Sequence, residues 1–399
     1  MIYKKIFKRS FFWIFNAILF YLLKLNIFRD KNLWVYGCWE GNRYDDNSKY
    51  LFEHIIKTHP EIRSVWLSPN PQIVNLVRQK GYEAYCSNSL KGIRLQLRAG
   101  VCFFTNGLDD ISNIQFIHGA MVIGLWHGTG MKNVYYQRLI QTGSKFKYCL
   151  KRVRDKIFSV TYQDFAIATS AAAGEMRRQT YLLRPEQILI TGQPRNDAFK
   201  QSFYPHQVLP QLKDSDSYSY ILYMPTYRPY DNNVVEDLLI NLNLDTAFIK
   251  MLEKKKIRFL LKLHYLVNIE DIPLKPPFIV LRDQNISHVQ ELLAMADYMI
   301  TDYSGCCIDF AIQDKPILLY TPDYDFYCKK QSIKEEWHEI YKEYSTETFE
   351  DLKKKITDMI IVEDKDLRLS EKINSIYEAP ELKNSNYSEN VYQKVISLL

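Results

Sequence analysis

Short apolar runs alternate with amphipathic stretches along most of the chain. In the first half, six apolar runs are predicted to be buried strands, at residues 33–39, 63–68, 101–105, 121–126, 165–169 and 188–191. Helical patterns such as residues 71–80 lie between several of them. Strands that alternate with helices in this way are typical of parallel sheets covered on both faces. The pattern therefore predicts an α/β fold of the doubly wound type.

The alternation stops at residues 205–218, where Pro210 and a run of Asp and Ser indicate a linker. Beyond it, strands are predicted at residues 220–224, 258–263, 278–281, 298–301 and 317–320, with a largely helical stretch at 234–255. Ser287 and Gln290 have the spacing of a capping box that begins a further helix. The tail from Lys330 is charged and is predicted to be helical.

The N-terminus differs from the rest of the chain. Four basic residues precede an aromatic-rich apolar run at 11–23, which Asn16 interrupts and Lys24 ends. A membrane-spanning helix needs about 20 apolar residues, and this run is shorter. We interpret it as an interfacial helix with aromatic side chains at the acyl boundary and lysines on anionic headgroups. A short tilted span and a buried core helix are the alternatives.

The length of 399 residues suits two α/β domains rather than one core. We predict a membrane-associating amphipathic helix at 1–28, an N-terminal Rossmann-like domain at 29–204, a linker at 205–218, and a C-terminal Rossmann-like domain with a helical tail at 219–399. Two such domains predict a central cleft. In these sheets ligands bind beyond the carboxyl ends of the strands, so polar motifs at strand ends are the candidates for chemistry.

Composition narrows the class of partner. The net charge of +6 suits an anionic partner, but no helix carries the clustered basic stripe of a nucleic-acid binder. The seven cysteines are scattered and never spaced C-x-x-C, which favours reduced thiols over disulfides or a zinc site. The acidic groups Asp45-Asp46 and Asp364–Asp366 follow no strand end, so we interpret them as solvated loops. No cofactor or metal is expected.

Five polar motifs follow predicted strands. The first, WHGTGMK at residues 126–132, has glycines that allow close approach of the backbone to a ligand, and Lys132 adds positive charge. The second, GQPRND at 192–197, contains Arg195, which suits a pair of phosphate oxygens. The alternatives are a tight turn with a structural His127 in the first motif and a proline turn with Asn196 or Asp197 as a helix cap in the second.

The other three motifs lie in the second half: PTYRP at 225–229, KLH at 262–264, and TDYSG at 301–305 before a predicted helix. The PTYRP motif is also compatible with a simple loop. His264 could equally be an ordinary histidine that makes structural hydrogen bonds. Ser304 could cap the helix, but a hydroxyl-rich turn before a helix also suits a pyrophosphate.

Taken together and in this order, the motifs resemble those of the CDP-glycerol glycerophosphotransferases of teichoic-acid and capsule synthesis. The resemblance covers residues 33–327 and includes the segment from Lys315-Pro316-Ile317 to Tyr327. It implies a GT-B architecture, in which two Rossmann-like domains face a central cleft and the C-terminal one holds the nucleotide. It also implies attack of an acceptor hydroxyl on the β-phosphorus of CDP-glycerol, release of CMP, no required metal, and peripheral attachment at the cytoplasmic face of the bacterial membrane.

The resemblance implies roles for individual residues. His127 is the expected base and His264 the alternative. The expected substrate-binding residues are Gly128, Thr129, Lys132, Arg195, Thr226, Arg228, Asp302, Ser304, Gly305 and Asp309. Two departures, Gly130 for the usual proline and Gly305 for a second serine, are expected to loosen their loops.

The partners implied are a CDP-polyol donor, a lipid-linked or polymeric acceptor and an anionic membrane surface, with no nucleic acid. Glycerol, ribitol and a glycosylated variant all remain open as the polyol. A GT-B glycosyltransferase that uses a nucleotide sugar and a non-catalytic membrane-bound nucleotide or polymer binder are the alternative functions.

Overall fold

The computed structural model of the protein describes residues 2–25, 28–158, 161–210, 212, 218–228, 230, 233–263, 274–282, 288–361 and 366–399, with side chains from residue 12 onward. The chain forms two compact units, each built on one parallel sheet. The first unit contains Met1–His127, Val134–Asp197 and Ala379–Leu399, and the second contains Gly128–Asn133 and Ala198–Glu378. The predicted α/β class with two parallel sheets is confirmed.

The first unit holds a seven-stranded sheet in the order β3-β2-β1-β4-β5-β6-β7, with all described pairs parallel. Its strands are β1 Asp30–Tyr36, β2 Arg63–Ser68, β3 Ala84–Cys86, β4 Ala99–Phe104, β5 Met121–Gly124, β6 Phe165–Ala168 and β7 Ile188–Ile190. All six predicted strands are present and only the three-residue β3 was not predicted. The order of β1 to β6 is that of dinucleotide-binding folds, with its topological switch point between β1 and β4.

The helices of the first unit cover both faces of this sheet. They are α1 Ile2–Leu23, α2 Asp46–Thr58, α3 Pro71–Gln79, α4 Leu90–Arg98, α5 Tyr135–Gln141, α6 Lys145–Phe158 and α7 Ala171–Tyr181. In β1, Trp34 and Tyr36 belong to one hydrophobic core, whereas Leu33 and Val35 belong to the other. Successive side chains of a strand point to opposite faces, so a strand buried on both faces reads as a continuous apolar run.

The second unit holds a six-stranded parallel sheet in the order β10-β9-β8-β11-β12-β13. Its strands are β8 Ser219–Met224, β9 Ile257–Lys262, β10 Phe278–Leu281, β11 Tyr298–Thr301, β12 Ile317–Tyr320 and β13 Ser345–Thr346. Counted from β8, this is again the doubly wound order, and its switch point lies between β8 and β11.

Nine helices, counted over the described residues, accompany the second sheet. They are α8 Pro205–Val208, α9 Asn233–Leu244, α10 Thr246–Lys254, α11 Val289–Met295, α12 Cys306–Ala311, α13 Tyr324–Lys330, α14 Glu335–Tyr344, α15 Phe349–Ile361 and α16 Arg368–Tyr377. Helix α8 lies in the predicted linker 205–218, where Val208 and Leu209 are fully buried. Residues 211 and 213–217 of that linker, and Ser287 of the predicted capping box, lie outside the described residues.

The last helix, α17 Tyr387–Ile396, belongs to the first unit. Val391 and Val395 are fully buried in the same hydrophobic core as Leu51 and Ile55 of α2. The sequence pattern instead predicted that all of 219–399 belongs to the C-terminal domain. A charged helical tail gives no indication of which sheet it packs against, so this long-range return of the chain was not predictable.

The N-terminal helix α1 is packed on one face. Asn16, Ala17 and Phe20 are buried, and the Asn16 amide donates to the Asn113 carbonyl at 3.0 Å while its oxygen accepts from the Gln115 N–H at 3.0 Å. Asn16 therefore anchors the helix, although in the sequence it only interrupts an apolar run. Among the described residues, no helix is both long and apolar enough to cross a bilayer.

Candidate active site

The switch point of the first unit is built from the loops that follow β1 and β4, and Asp110 joins them. Its carboxylate accepts hydrogen bonds from the backbone N–H groups of Glu40 at 2.6 Å, Thr105 at 2.7 Å and Asn106 at 2.9 Å. Burial raises the pKa of Asp110, and these N–H donors oppose the shift. A buried carboxylate with this many donors fixes both loops in one arrangement.

Backbone strain is concentrated around these loops. Trp39, Glu40, Asp46 and Trp126 have left-handed φ values of +48°, +52°, +60° and +62°. Each such residue costs about 1–3 kcal/mol and persists only where its surroundings determine it. For Trp126 that determinant is the buried Asn47, whose amide donates to the carbonyls of Trp126 at 2.9 Å and of its neighbour in the chain at 3.1 Å.

His127 lies in the middle of this strained region. Its ring centroid is 5.0 Å from that of Trp126, nearly parallel to it, and 5.3 Å from that of Trp39. The imidazole is exposed on one side and makes a hydrogen bond to the Thr105 backbone. Its dense surroundings, with a smaller effect of nearby arginines, lower the pKa of His127 to about 4. The imidazole is therefore neutral at physiological pH and able to accept a proton.

Two arginines, Arg177 and Arg195, give this region its positive charge. Arg195 pairs with the buried Asp46 at 3.1 Å, and the Arg177 guanidinium lies 3.9 Å above the ring of Trp126. Burial lowers the pKa of Arg177 to about 9 and raises the pKa of Asp46, although Arg195 opposes the latter. Two guanidinium groups close to the same imidazole suit the oxygens of a phosphate.

Two of these residues correct or extend the sequence analysis. Asp46 was interpreted as part of a solvated loop, but it is only 7% exposed and begins α2. The interpretation was wrong because it considered neighbours in sequence, whereas the partner Arg195 follows a distant strand. Arg177 was not identified at all, since it lies mid-helix in α7 and belongs to no strand-end motif.

The motif GQPRND also holds the C-terminal helix. Asp197 accepts from the backbone N–H groups of Tyr387 and Ser388, each at 2.8 Å, and from the Ser388 hydroxyl at 2.6 Å. Asp197 therefore binds the first N–H groups of α17, whose N-cap residue is Asn386. Gly192 is explained by the same packing, because an added Cβ would lie 2.0 Å from the Tyr387 ring and its φ is +77°.

The motif WHGTGMK is divided between the units, since His127 belongs to the first and Gly128–Asn133 to the second. Within the second unit the Lys334 N–H donates to the Met131 carbonyl at 3.0 Å. An added Cβ at Gly305 would lie 2.4 Å from the carbonyl oxygen of Thr129. The expectation that Gly305 loosens its loop is therefore wrong, because the missing side chain allows a close backbone contact. At Gly130 an added Cβ would meet nothing within 4 Å.

Arg228 and Asp302, both expected to bind substrate, form a buried network at the second switch point. The Arg228 guanidinium contacts Asp302 at 2.8 Å and Asp323 at 2.7 and 3.0 Å, and donates to the Thr226 carbonyl at 2.8 Å. Arg228 is 1% exposed. Burial lowers its pKa, but the two carboxylates more than offset this and raise it. The geometry gives Arg228 protein acceptors in place of a ligand, and the role of Asp323 was not foreseen.

Other residues predicted to bind substrate in the second unit carry hydrogen-bond donors. The Thr226 hydroxyl is buried and has no hydrogen-bond partner among the described residues, and Ser304 accepts a hydrogen bond from the Cys306 thiol at 3.1 Å. The Lys132 ammonium lies 5.2 Å from the ring centroid of Tyr327, and burial lowers its pKa. These groups are donors to anionic oxygens.

Two further expectations receive less support. Asp309 is 1% exposed on α12, which has only six residues and hence a short dipole. His264 lies outside the described residues, as do Asp364 and Lys365, whereas Asp366 pairs with Arg368 at 2.7 Å. The first unit thus offers a neutral imidazole beside two cations, and the second offers hydroxyls and an ammonium.

Comparison with known proteins agrees with this chemistry. The chain is 25% identical over 316 residues to the teichoic acid poly(glycerol phosphate) polymerase of Staphylococcus epidermidis. The matched region covers 74% of this chain and 41% of that protein. It is 22% identical over 310 residues to the teichoic acid glycerol-phosphate transferase of Staphylococcus aureus, covering 75% of this chain and 76% of that protein. The chain therefore spans about two fifths of the length of the polymerase.

A solved structure of the wall teichoic acid polymerase TagF has the same fold, with a TM-score of 0.68 at 20% identity, covering 98% of this chain and 97% of that one. Residues 19–397 match the family described as CDP-Glycerol:Poly(glycerophosphate) glycerophosphotransferase. The resemblance drawn from the motifs is confirmed. The chain belongs to this family of glycerophosphotransferases.

Proposed function

We propose that the chain transfers a polyol phosphate, most directly glycerol phosphate, from a CDP-activated donor to an acceptor hydroxyl. The products are CMP and a new phosphodiester in a teichoic-acid-like or capsular polymer. The observation that carries the proposal is the match to the glycerophosphotransferase family over residues 19–397. The GT-B arrangement around a central cleft is part of the proposal, supported by two doubly wound sheets and the likeness to TagF.

His127 is the proposed general base. The acceptor O–H proton passes to its imidazole as the hydroxyl oxygen bonds to the β-phosphorus. The bond between that phosphorus and the bridging oxygen of CMP then breaks, and CMP leaves with the electron pair. The lowered pKa supports this role because it keeps the free imidazole unprotonated, and its exposed side lets a hydroxyl reach it.

Arg177 and Arg195 would stabilise the anionic oxygens near His127. A phosphate bound to them would cancel part of their repulsion of an imidazolium and so raise the pKa of His127 from its free value of about 4. The base would thus become stronger as substrate binds. This coupling supports a site that binds a phosphorylated substrate next to its proton acceptor.

In the second unit, Thr226, Ser304 and Lys132 are the proposed contacts to the donor phosphates, with the backbone of Gly128 and Thr129 beside them. The unpartnered Thr226 hydroxyl supports this assignment, since a buried hydroxyl without a partner costs about 1–3 kcal/mol. Arg228, Asp302 and Asp323 would position these groups rather than bind the donor.

The experiment is a donor panel. The full-length protein is incubated with a polymer acceptor and CDP-glycerol, CDP-ribitol, UDP-sugars and GDP-sugars in turn, and nucleotide release is measured. We expect CMP only, from a CDP-polyol. Release of UDP or GDP would establish a glycosyltransferase, and donor binding with no release would establish a non-catalytic binder; either result would overturn the proposal.

We also propose that the chain attaches peripherally to an anionic membrane, through exposed apolar faces of α1 and α6. On α1, Ile14 and Ile18 are 53% and 51% exposed. On α6, the apolar residues share one face at spacings of three and four residues and are 50–79% exposed: Phe146, Leu150, Val153 and Ile157. The two helices are neighbours, with the rings of Trp13 and Phe158 6.2 Å apart.

Charge supports this assignment. Helix α6 carries six basic residues and one acidic residue, Asp155, which already pairs with Lys151 and Arg154. An exposed apolar face flanked by lysines and arginines is typical of a helix that lies in the interface of an anionic bilayer. The seven free cysteines are compatible with the cytoplasmic face, where thiols stay reduced.

Vesicle sedimentation tests this attachment without disturbing the core. Replacing Phe146 and Leu150 by Ser should weaken binding to phosphatidylglycerol vesicles by at least about tenfold per residue, because each loses about 1.5 kcal/mol or more of apolar burial. Leu90→Ser is the matched control, since Leu90 is 90% exposed on α4 and should leave binding unchanged. Equal binding of the α6 variant and the control would exclude α6 from the membrane contact.

A further inference from the structure

Two histidines and a glutamate meet on the first unit, away from the motifs. His54 lies near the end of α2, His59 is its C-cap residue, and Glu389 is in the first turn of α17. The Nε2 atoms of His54 and His59 lie 2.9 and 2.8 Å from the same oxygen of Glu389. One possible ligand atom from each of the three residues lies within 4.8 Å of those from the other two.

Two nitrogens lie within hydrogen-bond distance of one carboxylate oxygen, so each Nε2 atom must carry either a proton or a metal ion. A neutral imidazole nitrogen without a proton has a lone pair, which repels the lone pairs of the carboxylate. For His59 the other nitrogen, Nδ1, lies 3.4 Å from Oε1 of Glu61. That carboxylate favours a proton on Nδ1 and leaves the Nε2 lone pair directed at Glu389.

We propose that His54, His59 and Glu389 bind a divalent transition-metal ion of the Zn²⁺ type, with water as a fourth ligand. Two imidazoles and a carboxylate are a known ligand set for Zn²⁺ with an open position. A ligand histidine usually donates its other N–H to a carboxylate, and Glu61 supplies that group. Hard cations such as Mg²⁺ prefer oxygen ligands, so the two nitrogens favour Zn²⁺.

The surroundings hold these side chains in place. The His59 ring stacks on Tyr392 with centroids 3.4 Å apart, and the Tyr392 hydroxyl donates to Glu61 at 2.9 Å. The side-chain amide of Gln393 donates to the other oxygen of Glu389 at 2.7 Å. The ligand set and its supports are therefore fixed by α17 and the end of α2, as a built site requires.

The consequence would be structural. The cluster lies at the C-terminal end of α2, whereas Asp46 and Asn47 of the candidate active site lie at its N-terminal end. Thirteen residues of helix separate these ends by roughly 20 Å. A metal ion would thus link α17 to α2 without taking part in phosphoryl transfer, and its binding should raise the melting temperature of the full-length protein.

Metal binding to the wild-type protein is the first test. After treatment with a chelator and its removal, the full chain is titrated with Zn²⁺ by calorimetry and with Co²⁺ by visible spectroscopy. We expect one equivalent of Zn²⁺, an intense tetrahedral Co²⁺ spectrum and a higher Tm with Zn²⁺. Absence of stoichiometric binding would overturn the proposal, whatever the variants do.

Variants locate the ion. Glu389→Gln and His54→Gln should abolish the Co²⁺ spectrum, and Glu61→Gln should weaken Zn²⁺ binding about 10- to 100-fold by removing the support of His59. His206→Ala is the control, since His206 is exposed in the second unit and should leave binding unchanged. Unchanged binding in Glu61→Gln and His54→Gln would exclude this site.

A proton-filled cluster is the competing explanation. In it, each histidine carries a proton on Nε2 and donates it to the same oxygen of Glu389. In that case Zn²⁺ would leave the Tm unchanged. That result would contradict a metal site.

Discussion

The two switch points share a strand order but differ in how they use charge. In the first unit, Arg195 pairs with the carboxylate of Asp46, and a second guanidinium, that of Arg177, lies over the ring of Trp126. In the second unit one guanidinium, Arg228, lies between two carboxylates, Asp302 and Asp323. The first arrangement leaves positive charge for a ligand, whereas the second satisfies its charge internally. A charged residue in a strand-end motif can therefore belong to the scaffold, as Arg228 does.

The strongest way to break this comparison is to remove the proposed base. His127→Ala should lower kcat about 10²–10⁴-fold, the usual contribution of a positioned base. It should change the Tm little, because the imidazole is exposed and loses only its stacking on Trp39 and Trp126 and one hydrogen bond to the Thr105 backbone. His206→Ala serves as the control. A variant with near-normal kcat would move the role to another group, with His264 the first candidate.

Removing the scaffold cation should affect stability first. Arg228→Gln leaves two buried carboxylates without their partner, and breaking such a pair costs about 3–5 kcal/mol. The free energy of unfolding, measured with denaturant, should fall by that amount. Arg178→Gln is the matched control, since its pair with Glu175 is on the surface and contributes little. Unchanged stability with a raised KM for the donor would instead make Arg228 a ligand contact.

The glycine pair of the second unit gives a smaller effect. Gly305→Ala should destabilise the protein by about 1–3 kcal/mol, because the new methyl group overlaps the Thr129 carbonyl. Gly130→Ala should be neutral or slightly stabilising, since the space around it is open and its φ is not positive. Thermal melts of the two variants compare them directly. Equal melting temperatures would show that the backbone near Gly305 shifts to accommodate the methyl group without loss of stability.

Much of the fold was predictable because both sheets are buried on two faces. Their strands read as apolar runs, and all the long ones were found. The strands β3 and β13 were missed because they have three and two residues, too few for a periodic signal. The destination of α17 was also missed, since its partner α2 lies more than 300 residues away in the sequence.

Residues of the candidate site were predictable only where they lie in a motif that directly follows a predicted strand. Strand-end motifs identified His127, Arg195, Thr226 and Ser304. They did not identify Arg177, which lies mid-helix, and they did not distinguish the buried Arg228 from a ligand contact. Burial and ion pairing depend on contacts across the sheet, and one sequence does not contain them. The cluster of His54, His59 and Glu389 was not predicted either, because it depends on a contact between distant parts of the sequence.

The most direct test of the account is the pH dependence of kcat/KM, which reports the free enzyme. A base works in its neutral form, so a lowered pKa keeps His127 active as the pH falls. We predict an acid limb near the pKa of about 4 for the wild type. In Arg177→Gln the limb should shift to higher pH, because a positive charge that opposes protonation is removed. Protonation of the cytosine ring of the donor affects the wild type and the variant equally, so it does not contribute to the difference between their pH profiles. An acid limb at pH 6.5 or above in the wild type, or one that Arg177→Gln does not move, would contradict a neutral His127 held beside Arg177 and Arg195.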